Sequence, residues 1–155
     1  MLQQTDTLDL SPGVHAVRSA TRWLASISDR ERWSAALAFA LTLCVDEALT
    51  NVVSYAFSPL DAMTAGRRSG DQAPPSIHLR CTLLAQQVRI EIIDNGRSYD
   101  VTRTAPLSLA QSLDEARIGG LGLHLMRHYL SDMSYRRHEN KNHLTLIINT
   151  HDGAT

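Results

Sequence analysis

The N-terminal third of the chain carries apolar residues at helical spacing, preceded by a short alternating stretch. Residues 5–10 alternate weakly between polar and apolar and predict a short edge strand. Ser11 as N-cap, with Pro12 in the first turn, predicts a helix that runs to about Ile27. A second, longer helix is predicted over 31–57, because apolar residues recur there at steps of three and four. Its apolar stripe comprises Leu37, Leu41, Val45, Leu49 and Val52.

In the rest of the chain, apolar residues recur at every second position, as in strands, apart from one helical segment. Residues 58–75 are rich in Ser, Gly, Pro, Ala and Asp and predict a loop. The stretches 77–84 and 88–93 predict two strands, and the short connection between them predicts an antiparallel hairpin. A helix and a second hairpin complete the pattern, with the helix over 121–130, strands near 133–137 and 144–149, and the polar turn Glu139-Asn140-Lys141-Asn142.

The order of these elements predicts the fold class. Helices, a hairpin, a helix and another hairpin favour an α+β fold, a two-layer sandwich in which helices cover one face of a mixed sheet. The 155 residues fit one domain with a core of ordinary size, and the chain has neither an internal repeat nor a linker. We therefore expect residues 1–155 to form a single domain.

Composition and charge narrow the classes of partner and compartment. Hydrophobic residues make up 43% of the chain and charged residues 20%, as in soluble globular proteins. A formal net charge of -1 argues against direct nucleic-acid binding and against an anionic membrane surface. No signal peptide and no membrane-spanning run are visible. Cys44 and Cys81 are isolated, and Cys44 lies in an apolar helical run, so we expect Cys44 to be a buried free thiol and the protein to be cytoplasmic.

The single lysine excludes one design of nucleotide site. A Walker-type phosphate loop needs a Gly-rich turn that ends in Lys-Ser or Lys-Thr. Lys141 is the only lysine in the chain, and Asn142 follows it. A nucleotide-binding protein with this sequence must use another arrangement.

The first candidate site is the pair Glu47 and Asn51 on the long predicted helix. A spacing of four places both side chains on one helical face, among mostly apolar neighbours. In a functional site, Asn51 would be an oxygen ligand for Mg²⁺ and Glu47 would orient or deprotonate a nucleophile beside the metal. Taken alone, the pair favours the simpler interpretation of a solvated polar edge on an amphipathic helix.

The second candidate is Asp94-Asn95-Gly96, at the end of the strand 88–93. An ordinary exit from strand to turn explains these residue types, because Asn and Gly tolerate positive φ. In a functional site, Asp94 would accept a hydrogen bond from an exocyclic amine such as adenine N6. Gly96 would then let the base approach the backbone closely.

The third candidate is Gly119-Gly120-Leu121-Gly122, directly before a predicted helix. Free N–H groups and the positive end of the helix dipole make such a position suitable for phosphate. A flexible hinge or close helix packing is the alternative. We favour the phosphate interpretation for this spacing.

The order of the three motifs resembles that of the histidine-kinase-like ATPase superfamily, which includes gyrase, sensor histidine kinases and mismatch-repair ATPases. Within it, the short chain looks most like the anti-sigma-factor serine kinases of bacterial partner-switching systems. The strings that carry the likeness are residues 45–51, 94–100, 119–127 and 142–146. The resemblance implies a Bergerat-type sandwich with a mainly antiparallel sheet.

The resemblance also implies roles for single residues. Glu47 would be the general base, Asn51 the Mg²⁺ ligand, Asp94 the adenine contact, and Gly96 part of the base pocket. Thr145, on a late strand, would support the adenine contact through water.

The same likeness assigns the remaining contacts to ATP. Gly120, Leu121, Gly122 and Leu123 would meet the phosphates. Residues 97–118 would form a lid over the nucleotide.

The implied activity is that of an ATP-dependent protein-serine/threonine kinase. Its substrate would be a STAS-domain anti-anti-sigma protein, and the kinase would also sequester a sigma factor or an equivalent regulator, often as a homodimer. Ser98-Tyr99-Asp100 replaces the usual Pro-Phe-Asp of that family, and the loop 58–75 is longer than is usual. A nucleotide-gated binding module without catalysis, and a fragment of a sensor histidine kinase, are the alternatives.

Overall fold

A computed structural model describes residues 3–57, 73–103 and 121–150. Its sheet has five strands in the order β1-β2-β3-β5-β4. The strands are β1 (Gln4–Leu10), β2 (Ile77–Leu83), β3 (Gln87–Asp94), β4 (Asp132–His138) and β5 (Lys141–Asn149). The helices are α1 (Ala16–Glu31), α2 (Ala35–Asn51) and α3 (Leu121–Tyr129), with a π-helical turn (Val52–Ala56) after α2 and a 3₁₀ turn (Val101–Arg103) after β3.

The α+β fold class predicted from the sequence is confirmed. All four strand pairings among the described residues are antiparallel, so this part of the sheet is more regular than the mixed sheet expected. β1 lies at one edge, as the weak alternation of residues 5–10 predicts. Every second residue of β3 and β5 is buried, which places one face of the sheet against the helices.

The predicted start and end of α1 are wrong by a few residues. The helix begins at Ala16 with His15 as an N-cap that makes no side-chain hydrogen bond, so Ser11 has no capping role. The helix continues to Glu31, beyond the expected stop near Ile27. It ends because Arg32 adopts the left-handed conformation, with φ 55°, and its N–H bonds the carbonyl of Ser28.

α2 is the central helix of the core. Ser34 caps its N-terminus by accepting a hydrogen bond from the N–H of Leu37 at 3.1 Å. Helical chain from Ala35 to Ala56 is long and apolar enough to span a membrane, but 50% of its most apolar window is buried inside the protein. That burial is what a core helix requires. Cys44 lies on this helix and is a buried free thiol, as predicted; Cys81 lies on β2 and is buried and free as well.

A two-residue turn joins β4 to β5. Glu139 and Asn140 have φ values of 51° and 61°, the conformation that tight hairpins need. The predicted turn also included Lys141 and Asn142, but both belong to β5. This difference matters, because Asn142 thereby joins the buried face of the sheet beside β3.

Candidate nucleotide site

Glu47 and Asn51 lie one helical turn apart near the end of α2. The side chain of Asn51 is buried at 6% exposure, and that of Glu47 is half-buried. Neither side chain makes a hydrogen bond or ion pair within the described parts of the chain. Among the described residues only Arg89 Nε is a fully buried polar side-chain atom without a partner, so the unpaired atoms of Glu47 and Asn51 keep contact with solvent and are free to bind a ligand.

The surroundings of Glu47 favour proton transfer. Burial raises the pKa of this carboxyl above its ordinary value, and the neighbouring Asp46 carboxylate raises it further. A carboxylate with a raised pKa takes up a proton more readily near neutral pH than an ordinary glutamate. Asp46 itself accepts a hydrogen bond from the hydroxyl of Thr50 at 3.3 Å, so it is already partnered.

Gly122, in the first turn of α3, lies directly against the Glu47 carboxylate. A Cβ atom at this position would meet Glu47 Oε2 and would lie 3.1 Å from its Cδ. A larger residue here would displace the Glu47 carboxylate, so the reason for glycine at this position is space and not backbone conformation. The contact joins the helix motif to the end of the glycine motif, which are 75 positions apart in the sequence.

The other residues predicted to meet phosphate are placed in part. The backbone of Leu121 opens α3, and the side chain of Leu123 is buried in the core at 4% exposure. A phosphate contact by Leu123 must therefore come from its backbone N–H, which belongs to the first turn of the helix. Gly119 and Gly120 lie outside the described residues, as does most of the predicted lid, 104–118.

Asp94 ends β3 with its side chain on the buried face, at 2% exposure. Its Oδ1 atom accepts two hydrogen bonds, from the N–H of Gly96 at 2.9 Å and from Asn142 Nδ2 at 2.8 Å. Oδ2 receives no hydrogen bond from the described residues. Burial raises the pKa of Asp94, while these two donors and the Arg137 guanidinium oppose the rise.

Gly96 is a glycine because the end of the π-helical turn lies against it. A Cβ atom at this position would meet the carbonyl oxygen of Ala56 and would lie 2.9 Å from the Ala56 carbonyl carbon. Positive φ, the simpler explanation offered by the sequence, is not the reason. The same contact is reinforced by Arg97, which donates from its backbone N–H to the Ala56 carbonyl at 2.9 Å and from Nε to the Tyr55 carbonyl at 2.7 Å.

The α2 helix therefore connects all three motifs. Gly122 lies against Glu47, and Gly96 lies against Ala56, nine residues further along the same helical segment. The geometry fits a ligand with its base near Asp94 and its phosphates near Glu47, Asn51 and the start of α3.

Thr145 does not lie where it was predicted to lie. It pairs with Glu91 on β3 and with Ser134 on β4, on the face of the sheet that the helices leave uncovered. Asp94 is on the opposite face, directly across from Asn142. The structure therefore does not bring Thr145 to Asp94, because residues of this parity on β5 lie on the other face of the sheet.

Asn142 occupies the position beside Asp94 instead. This side chain is buried at 3% exposure and uses every hydrogen-bonding position of its amide. Nδ2 donates to Asp94 Oδ1 and to the carbonyl of Arg97, each at 2.8 Å. Oδ1 accepts from the hydroxyl of Tyr135 at 2.6 Å, from Arg137 at 3.0 Å and from the N–H of Tyr99 at 3.3 Å.

Sequence reasoning missed Asn142, Tyr135 and Arg137. All three are polar or amphipathic residues near the turn of the last hairpin. Their positions lie on the same face of the sheet as Asp94. Tyr135 and Arg137 alternate on β4, and Asn142 pairs with Arg137 across the hairpin. The parity of the two strands was the available signal, but it needs a correct turn, and the predicted turn was two residues too long.

Comparisons with known proteins agree with the geometry. The family model described as the histidine kinase-like ATPase domain matches residues 10–148. The chain is 45% identical to the serine/threonine-protein kinase BtrW of Bordetella bronchiseptica over 146 residues, which cover 94% of each protein. It is 29% identical to the serine-protein kinase RsbW of Listeria monocytogenes and to that of Listeria innocua, over 71% of this chain and 65% of each relative.

The matched region contains the described parts of all three motifs and strands β2 to β5 as far as Ile148, but only Leu10 of β1. The names of the relatives confirm the predicted enzyme class, protein-serine/threonine kinase. The family match implies the use of ATP. The shared length and the site on α2 lead to one conclusion: this chain belongs to the histidine-kinase-like ATPase family.

Proposed function

We propose that this protein is an anti-sigma-type regulator that binds ATP with magnesium and phosphorylates a serine or threonine of a STAS-domain antagonist. In its other state it sequesters a sigma factor or an equivalent regulator. The observation that carries the proposal is the placement of Glu47 and Asn51 without partners beside Gly122, on the helix that also reaches the Asp94 turn. The enzyme class of its relatives supports the transfer step.

Asp94 provides the selectivity for adenine in this proposal. Its Oδ1 atom is held by Gly96 and Asn142, and Oδ2 is left to accept a hydrogen bond from the exocyclic amine of the base. A base with a carbonyl in place of the amine would bring two acceptors together, which is unfavourable.

The residues on α2 fit a magnesium-bound triphosphate. The amide oxygen of Asn51 is a hard ligand of the kind that Mg²⁺ prefers, and no described residue competes for it. The metal, when bound, neutralises charge on the phosphate oxygens. The N–H groups at the start of α3 would donate to the same phosphates.

Glu47 carries out the proton transfer. Its carboxylate accepts the proton of the acceptor hydroxyl while the hydroxyl oxygen forms a bond to the γ-phosphorus. The bond between that phosphorus and the β–γ bridging oxygen breaks, and ADP leaves with the bonding electrons. The raised pKa of Glu47 suits this role.

A direct test combines the purified protein, Mg-ATP and a purified STAS-domain protein as the acceptor. We expect phosphoserine or phosphothreonine on the STAS protein, detected by mass spectrometry. ATP binding without phosphate transfer under any condition would contradict the kinase and leave a nucleotide-gated binding module. In that case an ATP analogue that cannot be hydrolysed would support partner binding as well as ATP does.

Asn51→Ala tests the metal assignment. We expect the affinity for ATP to lose its dependence on magnesium, because the variant lacks the side-chain oxygen. Titrations with magnesium and with EDTA measure this directly. Thr50→Ala, at the exposed neighbouring position, is the control and should keep the dependence. An unchanged magnesium dependence in Asn51→Ala would refute the ligand role.

A further inference from the structure

We propose that Asn142 is a positioning residue that sets the selectivity of the site for a purine with an exocyclic amino group. It acts by holding the Asp94 carboxylate in one orientation. This inference deepens the proposed function and rests on the assignment of Asp94 to the base. Asn142 would act on the nucleotide only through its hydrogen bond to Asp94.

The orientation of the Asn142 amide follows from its partners. The carbonyl of Arg97 can only accept a hydrogen bond, so the atom that faces it at 2.8 Å must be Nδ2. The guanidinium of Arg137 and the N–H of Tyr99 can only donate, so the atom that faces them must be Oδ1. The amide therefore presents a donor to Asp94, at 2.8 Å, and not an acceptor.

The position requires an amide and no other kind of side chain. A carboxylate would place a second negative charge at hydrogen-bonding distance from Asp94 and would lose both donated bonds. A hydroxyl has one proton and cannot donate to Asp94 Oδ1 and to the Arg97 carbonyl together. An aliphatic side chain of similar size would leave Asp94 with one bond, from Gly96.

Two residues of β4 keep the amide in place from behind. The hydroxyl of Tyr135 donates to Asn142 Oδ1 at 2.6 Å. Arg137 donates to the same oxygen and also to the carbonyl of Gly96 at 2.8 Å. The network thus fixes the carboxylate and the turn that follows it as one unit, and its other bonds hold the backbone of Arg97 and Tyr99.

The functional consequence is a defined direction for Oδ2. With Oδ1 occupied by two donors, the carboxylate cannot rotate without breaking a buried hydrogen bond. An exocyclic amine can donate to Oδ2, whereas a carbonyl at the same place on the base meets a second acceptor. Without Asn142 the carboxylate gains rotational freedom, and we expect this discrimination to weaken.

The experiment compares the affinities of ATP and ITP, which carry an amino group and a carbonyl group at the same ring position. Both are measured by calorimetry with magnesium and no acceptor protein. We expect Asn142→Leu to reduce the ratio of the two affinities by about tenfold, the usual scale for a buried polar group that loses a partner. Asn149→Leu is the matched control on the other end of β5, beside Gln87, and should keep the wild-type ratio.

A purely structural role would lower both affinities together and leave their ratio unchanged, and that result would overturn the proposal. Tyr135→Phe provides a second variant if Asn142→Leu does not fold. It removes one hydroxyl from the network, and we expect a drop of about two- to threefold in the ratio. An unchanged ratio in Tyr135→Phe would then overturn the proposal in the same way.

The outcome is separate from the test of phosphate transfer. Loss of the kinase activity would not affect a ratio measured without an acceptor protein. A wild-type protein that binds ATP and ITP equally would contradict the base contact of Asp94, and this inference with it. A selective wild type with an unchanged ratio in both variants would contradict this inference alone.

Discussion

The part of the site around Asp94, assigned to the base, and the part around Glu47 and Asn51, assigned to the phosphates, are built in opposite ways. They are called the base side and the phosphate side below. Around Asp94, the buried polar side chain of Asn142 uses its full hydrogen-bonding capacity within the protein. Around Glu47, the side chains of Glu47 and Asn51 have no partner in the described parts of the chain. Both sides contain a carboxyl group whose pKa is raised by burial.

The difference indicates two kinds of task. A satisfied network restricts the carboxylate to one geometry, which suits recognition of a base by shape and by donor position. Polar groups without protein partners remain available to a metal or a phosphate, which suits chemistry. The two glycines follow the same division, because Gly96 lies against rigid backbone and Gly122 lies against a side chain that can move.

The largest expected effect is on phosphate transfer in Glu47→Ala. Loss of a general base should reduce the transfer rate by roughly a hundred- to ten-thousand-fold, while ATP affinity is retained. Single-turnover kinetics and calorimetry on the same preparation measure both quantities. Asp46→Asn is the control, because it removes the adjacent carboxylate and leaves the Glu47 side chain in place. Full transfer by Glu47→Ala would show that the base assignment is wrong.

The next largest effect distinguishes the two glycines. Gly96→Ala should lower the free energy of unfolding by about 1–3 kcal/mol, because the new methyl group meets the Ala56 backbone, which cannot rotate away. Gly122→Ala should leave stability nearly unchanged, because the Glu47 side chain can rotate, but it should slow phosphate transfer. Denaturant unfolding and transfer kinetics separate the two outcomes. Equal losses of stability would contradict the contrast between the two sides.

A smaller effect is expected on the pH dependence of transfer. The base acts as a carboxylate, so the transfer rate should fall as pH drops through the raised pKa of Glu47. Asp46→Asn removes a like charge and lowers that pKa. The acid limb of the profile should therefore move to lower pH, by less than about one unit for this partly solvated pair. A shift to higher pH would contradict the assignment of Glu47 as the group that titrates.

The smallest effect is on stability at neutral pH. A carboxyl group whose pKa is raised in the folded state contributes stability below its unfolded pKa and loses it as pH rises through the folded value. Glu47→Gln should therefore raise the melting temperature slightly at pH 7, with a gain that disappears near pH 4. Thermal unfolding across this range measures it. A variant less stable than the wild type at pH 7 would show that Glu47 has a stabilising partner.

Local patterns in the sequence determined the elements and the motifs of this protein. Helical spacing identified α2, alternation identified the strands of both hairpins, and the missing Walker lysine excluded a phosphate loop of that kind. The order of Glu47, Asn51, Asp94 and the glycines identified the family, because each motif depends on residues close together in the chain. Helix ends were less accurate, as the capping of α1 by Arg32 shows.

Only the tertiary structure decided which residues of the last hairpin face the site. The resemblance assigned the supporting contact to Thr145, whereas the register of β5 against β3 places Asn142 beside Asp94. The reasons for Gly96 and Gly122 were likewise hidden, since each contacts a residue of the α2 segment far away in the sequence. Register and close approach between distant segments depend on the packed fold, and a single strand or helix carries no record of what will lie against it.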